Sequence, residues 1–169
     1  AHQIAIILAS VSYIIMTGVG AAATILFGQY IGINKWYKLP KLVKSVTHIS
    51  LIFMGSMGLI YFLFRLELPF LFLEGTELHI ASIATKLLII TAIFQIPDGL
   101  QSVFLGILRG MKDVWYPTLI TILAYWVVSI PLGRILAFNF GYGEVGIWIG
   151  LVGGLTLSAT FLYFRMQYK

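Results

Sequence analysis

The chain reads as long apolar stretches broken by short polar clusters, without the strict alternation of half-buried strands. A bilayer's hydrocarbon core is about 30 Å thick and takes about 20 mostly apolar residues per helix, so charge-free intervals of that length are the informative signal. Five occur: Gln3 to Asn34, Ser45 to Phe64, Leu87 to Leu108 with Asp98 as its one charge, Val114 to Gly133, and Val145 to Phe164. They predict transmembrane helices over about residues 3–31, 45–65, 84–109, 114–137 and 145–165, so that residues 1–169 form a single all-α, polytopic membrane domain. A membrane barrel would instead show segments of about 10 residues alternating in polarity. Leu66 to Leu73, interrupted by Pro69, is too short to span and reads as a surface loop.

Composition agrees: 60% of the 169 residues are hydrophobic and 10% charged, too little polar surface to coat a soluble globule. The chain has no Cys, which excludes disulfides, thiolate metal sites and Cys nucleophiles. It starts without Met and enters its first span at once, with no basic region or cleavage site of a signal peptide, so at least one preceding helix is expected.

A net charge of +5 raises the question of nucleic acid, but the basic residues lie in short inter-helix loops rather than on one solvated face. Taking loops alternately, one side holds Lys35, Lys38, Lys41, Lys44, Arg109, Lys112, Arg165 and Lys169, and the other only Arg65, Lys86 and Arg134. The positive-inside rule makes the richer side cytoplasmic, with the C-terminus there. Glu67, Glu74, Glu77 and Glu144 fall on the outer side and Asp113 on the inner. The Lys35 to Lys44 cluster, flanked by Trp36 and Tyr37, also suits an anionic-lipid patch, with plain topology as the simpler account.

Asp98 stands at mid-depth in the third span, where a charged carboxylate costs about 2.5–3.5 kcal/mol even on the lenient insertion scale. Spacings of four, three and four put Thr91, Gln95, Asp98 and Ser102 on one helix face, a polar stripe that needs protein or water to face. Pro97 removes a backbone donor beside Asp98 and frees a carbonyl that can serve an ion. The stripe therefore proposes Asp98, Gln95 and Thr91 for cation coupling, with Pro97 as a helix bend. The competing reading is a protonated Asp98 hydrogen-bonded to a neighbouring helix. Phe94 and Gln101 on the same helix, and Tyr125 with Trp126 in mid-span, are candidates to line a substrate cavity, the aromatic rings facing a cation. Trp36, Tyr37, Trp115 and Tyr116 at span ends read as interfacial anchors.

Glycines four apart, at Gly28 and Gly32, at Gly106 and Gly110, and at Gly146, Gly150 and Gly154, predict close helix packing. Gly18, Gly20 and Ala23 imitate a dinucleotide fingerprint, but no strand precedes them and no acid follows at the required distance. His2, His48 and His79 are scattered without metal-ligand spacing, so nothing here points to an enzyme or to a bound cofactor.

The ordered string Gly28-Gln29 to Gly32, Pro97-Asp98, Gln101, Arg109-Gly110, Lys112-Asp113, Pro117, Tyr125-Trp126, Pro131, Gly146, Trp148 and Gly150 resembles the multidrug and toxic compound extrusion (MATE) family. The resemblance covers nearly the whole chain and matches the last five helices of the six-helix C-terminal lobe of a two-lobe transporter. It implies efflux of cationic or aromatic organic compounds across the plasma membrane by alternating access, as antiport against protons or sodium. It also implies that Asp98 is the lobe's coupling aspartate, a metal ligand if sodium is the ion, and that the N-terminal lobe is a missing partner. The chain departs from the pattern in lacking a proline around Ile15 to Thr17 and in placing Phe94 where sodium-coupled members often carry Tyr. That second departure favours protons, and the acidic partner expected on the preceding helix lies outside the chain. A flippase for lipid-linked sugars and a non-transporting membrane partner subunit are the alternatives.

Overall fold

The computed structural model describes residues 1–73 and 78–168. Five helices are long and apolar enough to cross a membrane: α1 (His2–Gly32), α2 (Leu39–Leu63), α3 (Leu78–Gly110), α4 (Trp115–Asn139) and α5 (Gly143–Gln167). The predicted all-α architecture and the number of spans hold among the described residues. Glu74 and Glu77, assigned above to the outer side, lie outside them, as does Lys169.

Two helices start well ahead of their charge-free intervals. α2 begins at Leu39 rather than near 45, after a single 3-10 turn at Trp36–Lys38 and with Pro40 in its first turn, where the missing N–H is of no consequence. α3 begins at Leu78, a turn and a half before the expected 84, because Lys86 ended the charge-free interval without ending the helix. Leu68–Leu71 of the expected surface loop forms a short 3-10 turn.

The two turns on the lysine-rich side are closed alike. Asn34 and Lys112 take left-handed conformations, φ +56° and +61°. The following N–H groups, of Lys35 and Asp113, donate to the carbonyls of Tyr30 and Leu108 at 2.8 and 2.9 Å. These bonds satisfy carbonyls that the helix ends would otherwise leave bare. Asp113 is buried and accepts a 2.8 Å bond from Arg165 Nε, tying the α3–α4 turn to the end of α5. Trp36, Tyr37, Trp115 and Tyr116 are all exposed on this side, as anchors require.

α3 is the central post, packed against α1, α2 and α5, whereas α4 lies mainly against α5. Lipid tails are as apolar as Leu, so association of such helices rests on close backbone approach. A Cβ added to Gly106 would collide with the backbone of Gly20, and one on Gly110 would sit 2.6 Å from Phe27 Cβ and 2.7 Å from the Thr24 carbonyl oxygen. At that crossing the Thr24 hydroxyl donates to the Gly106 carbonyl at 2.8 Å. The α5 glycines do the same work against α4: Gly146 faces Ala137, Gly150 faces Gly133 and Gly154 faces Ser129. Gly28 and Gly32, read as a packing pair, carry no such contact: the nearest atom to a Cβ on Gly28 is 3.9 Å away and Gly32 faces open space.

Candidate functional site

α3 is α-helical through Pro97, so Phe94, Asp98, Gln101, Ser102 and Leu105 share one side of a continuous helix. That side opens into a cleft of about 450 Å³ between α1, α3, α4 and α5. Ile6, Ser10 and Tyr13 of α1 form one wall, Thr121 and Tyr125 of α4 another, and Trp148 and Leu151 of α5 close it.

Asp98 is 8% exposed, through this cleft, and among the described residues its carboxyl has no hydrogen bond or ion pair. A carboxyl group taken from water with no protein cation beside it must hold a proton or be met by a mobile cation. Around it stand oxygen donors: the Gln101 amide, which accepts a 3.3 Å bond from the Tyr125 hydroxyl, and the Ser102 hydroxyl. No cluster of three His, Asp or Glu able to hold a metal exists among the described residues.

The far end of the cleft is aromatic. Trp148, almost wholly buried, donates from Nε1 to His2 Nδ1 at 3.0 Å. It meets the His2 ring edge to face at 5.6 Å between centroids and Phe94 at 5.9 Å. Such a wall offers a flat ligand both stacking area and ring faces for positive charge.

The structure brings together Asp98, Gln101, Phe94 and Tyr125 of the residues singled out from the sequence. Trp126 does not join them: it is 69% exposed and lines no part of the cleft, since the residue after Tyr125 is turned to another face of α4. Thr91 and Gln95 also lie outside it. Both are fully buried, the Thr91 hydroxyl donating to the Leu87 carbonyl at 2.9 Å and Gln95 keeping both amide atoms unpartnered. Gln95 lies one turn before Gly99, which packs on Met54 and Ser50 of α2, so its stripe dips under the helix contacts instead of reaching the opening.

His2, Tyr13 and Trp148 line the site without having been singled out for it. The His2–Trp148 bond joins residues 146 apart in the chain, and only helix adjacency reveals it. The α4 wall held a second surprise: Ala124–Ser129 and Ile135–Asn139 are π-helical, the Ile130 N–H bonding the Tyr125 carbonyl. Pro131, which has no N–H to give, lies between the two π turns and marks the place in the sequence.

Five helices long and apolar enough to cross a membrane, set around a cleft with one carboxylate and an aromatic end, define a polytopic membrane protein. More particularly, the chain belongs to the MatE family, which it matches over residues 1–135. It is 36% identical over 170 residues to the probable multidrug resistance protein NorM of Brucella suis, covering 99% of this chain and 36% of that protein. A protein of the same description in Rhodopseudomonas palustris is 35% identical over 169 residues, with 99% and 36% covered. The multidrug resistance protein NorM of Burkholderia vietnamiensis is 34% identical over 172 residues, with 100% and 37% covered. In three dimensions the chain is similar to the crystal structure of the eukaryotic MATE transporter AtDTX14, with a TM-score of 0.91 at 23% identity, covering 99% of this chain and 37% of that one, which shows the shared fold. The chain thus spans little more than a third of the length of these relatives.

Proposed function

We propose that this chain is one lobe's share of a secondary transporter that exports cationic, flat organic compounds in exchange for protons or sodium ions. The observation that carries the reading is Asp98, an unpaired carboxyl in a cleft that is aromatic at one end. Entry of a proton or sodium ion neutralises Asp98 and releases the cationic drug; departure of that ion on the other side restores the charge that attracts the next drug. The two cations compete for one carboxylate, which couples their movements without any direct contact. Alternating access then needs a second lobe to rock against this one. The lysine-rich side is assigned to the cytoplasm of a cell whose plasma membrane holds the protein, by the positive-inside rule.

Phe94 puts a ring, not a hydroxyl, beside Asp98, which supports the proton over sodium. A flippase for phosphate-linked lipids would want Lys or Arg in the cleft, and its lining has neither.

The test is drug export by the full-length protein carrying Asp98→Asn in cells stripped of their own exporters. Asparagine keeps the shape and removes the exchangeable charge, so resistance to an organic cation should fall to the level of cells without the protein, at unchanged membrane abundance. Unimpaired, still ion-dependent export by the variant would remove Asp98 from the mechanism.

A further inference from the structure

At the start of α2 the imbalance is reversed: Lys35, Lys38, Lys41 and Lys44 gather with no acid among residues 33–45. Lys38 and Lys41 line a second concavity of about 450 Å³, together with Tyr30, Tyr37, Leu42 and Ser45. The single ion pair among the described residues joins Arg165 to Asp113, so neither lysine has a carboxylate partner. Lys38 is placed instead with its ammonium 5.5 Å from the centre of the Tyr30 ring. The start of α2 sharpens the imbalance: its first turn holds no acid and no side-chain cap, and basic side chains there oppose the positive end of the helix dipole. Lysines set against a helix N-terminus repel it and each other unless an anion sits between them.

The shape of the surface says which anion. From Lys38, the residue before α2, Lys41, Leu42, Ser45, Ile49 and Ile52 follow at spacings that keep them on a single face. That face is cationic and hydroxyl-bearing at the lysine end and carries two exposed isoleucines beyond it, Ile49 at 51% and Ile52 at 73%. Since α2 crosses the bilayer, the lysines come to rest at headgroup level and the isoleucines among the acyl chains. A free phosphate or a nucleic acid would use the first half of this face and waste the second.

We propose that the concavity between the end of α1 and the start of α2 is a binding site for an anionic phospholipid, whose phosphate is held by Lys38 and Lys41 and the Tyr37 and Ser45 hydroxyls, with an acyl chain laid along Leu42, Ile49 and Ile52. The site is separate from the Asp98 cleft and does not depend on the transport reading.

The experiment is native mass spectrometry of the full-length protein released from nanodiscs containing equal parts phosphatidylglycerol and phosphatidylcholine. The unmodified protein should retain phosphatidylglycerol preferentially. Two basic side chains in direct contact with one phosphate contribute about fivefold each to holding it, so Lys38→Gln with Lys41→Gln should cut that preference on the order of 20-fold. Lys112→Gln, which removes a charge from the same side outside the concavity, should leave it within about twofold. Ile49→Ser with Ile52→Ser should shorten retention of phosphatidylglycerol while leaving any displacement by inorganic phosphate unchanged. Equal preference in the Lys38/Lys41 variant, an equal loss in the Lys112 variant, or displacement of the lipid by inorganic phosphate at millimolar concentration would each overturn the assignment. The first would place the preference elsewhere on the protein, the second would leave only diffuse charge attraction, and the third a plain phosphate site.

Discussion

α3 and α4 both carry a proline inside a membrane span, Pro97 and Pro131, and the two helices respond differently to it. α3 keeps α geometry from Leu78 to Gly110. α4 is regular only to Leu123 and then passes through two π turns on either side of its proline. Each proline removes one backbone donor, so the local chemistry is the same. Packing differs: a third of the most apolar stretch of α3, 33%, is buried within the chain against 17% for α4, and α3 is gripped on three sides while α4 leans chiefly on α5. A helix held on three sides has no room to widen; one held on a single side relaxes into i→i+5 bonding. The consequence for the site is a division of labour. Asp98 stands on the helix packed on three sides and Tyr125 on the one that carries the π turns.

That contrast can be pressed at four places, in descending order of effect. Gly106→Val forces a side chain into the Gly20 backbone between two helices that cannot part, and should cost about 3 kcal/mol, read as a lowered thermal midpoint of the full-length protein in detergent. Pro131→Ala restores a backbone donor and lets the π turns tighten toward α geometry, which rotates the residues beyond them by about 100° for each residue of register lost. Drug affinity should fall about fivefold with stability held or raised, the reverse of the effect expected from damage to α3. Gly150→Val meets the Gly133 backbone as closely as Gly106→Val meets Gly20, yet α4 can give way, so about 1 kcal/mol is expected by the same melting measurement. A Gly150 variant as unstable as the Gly106 variant would break the comparison. Smallest is Tyr125→Phe, which removes the 3.3 Å bond to Gln101; at about 0.6 kcal/mol for such a bond between membrane helices, drug Kd should rise about threefold.

How far the sequence carried each of these features follows from their physics. Spans are written in runs of apolar residues, and all five were found there. Their ends are not written there where lysines lie on the helix itself: Lys41 and Lys44 occupy the first turns of α2, and Lys86 the third turn of α3. Charge marks where the bilayer core stops, and the backbone does not stop with it. Asp98 was legible because its cost in lipid is independent of the neighbours, and Phe94, Gln101 and Tyr125 because helical spacing or depth put them near it. The limits of the cleft were not legible. The stripe that placed Thr91 and Gln95 beside Asp98 is real, but which part of a stripe stays open is decided by the helices laid across it. His2 and Trp148 meet only because the ends of α1 and α5 adjoin, a relation no spacing encodes. Trp126 fails as a lining residue for the same reason that the π turns were missed: a single residue's rotation on α4 separates an inward ring from an outward one.

The central claim is that a drug cation and the coupling ion compete for Asp98. The direct measurement is isothermal titration of the full-length protein with a fluorescent organic cation in two buffers of different ionisation heat, repeated with sodium present and with Asp98→Asn. Competition predicts that drug binding releases a proton, or weakens in proportion to sodium, in the unmodified protein, and that Asp98→Asn shows neither linkage. Ion release of equal size from the Asp98→Asn variant would contradict the account.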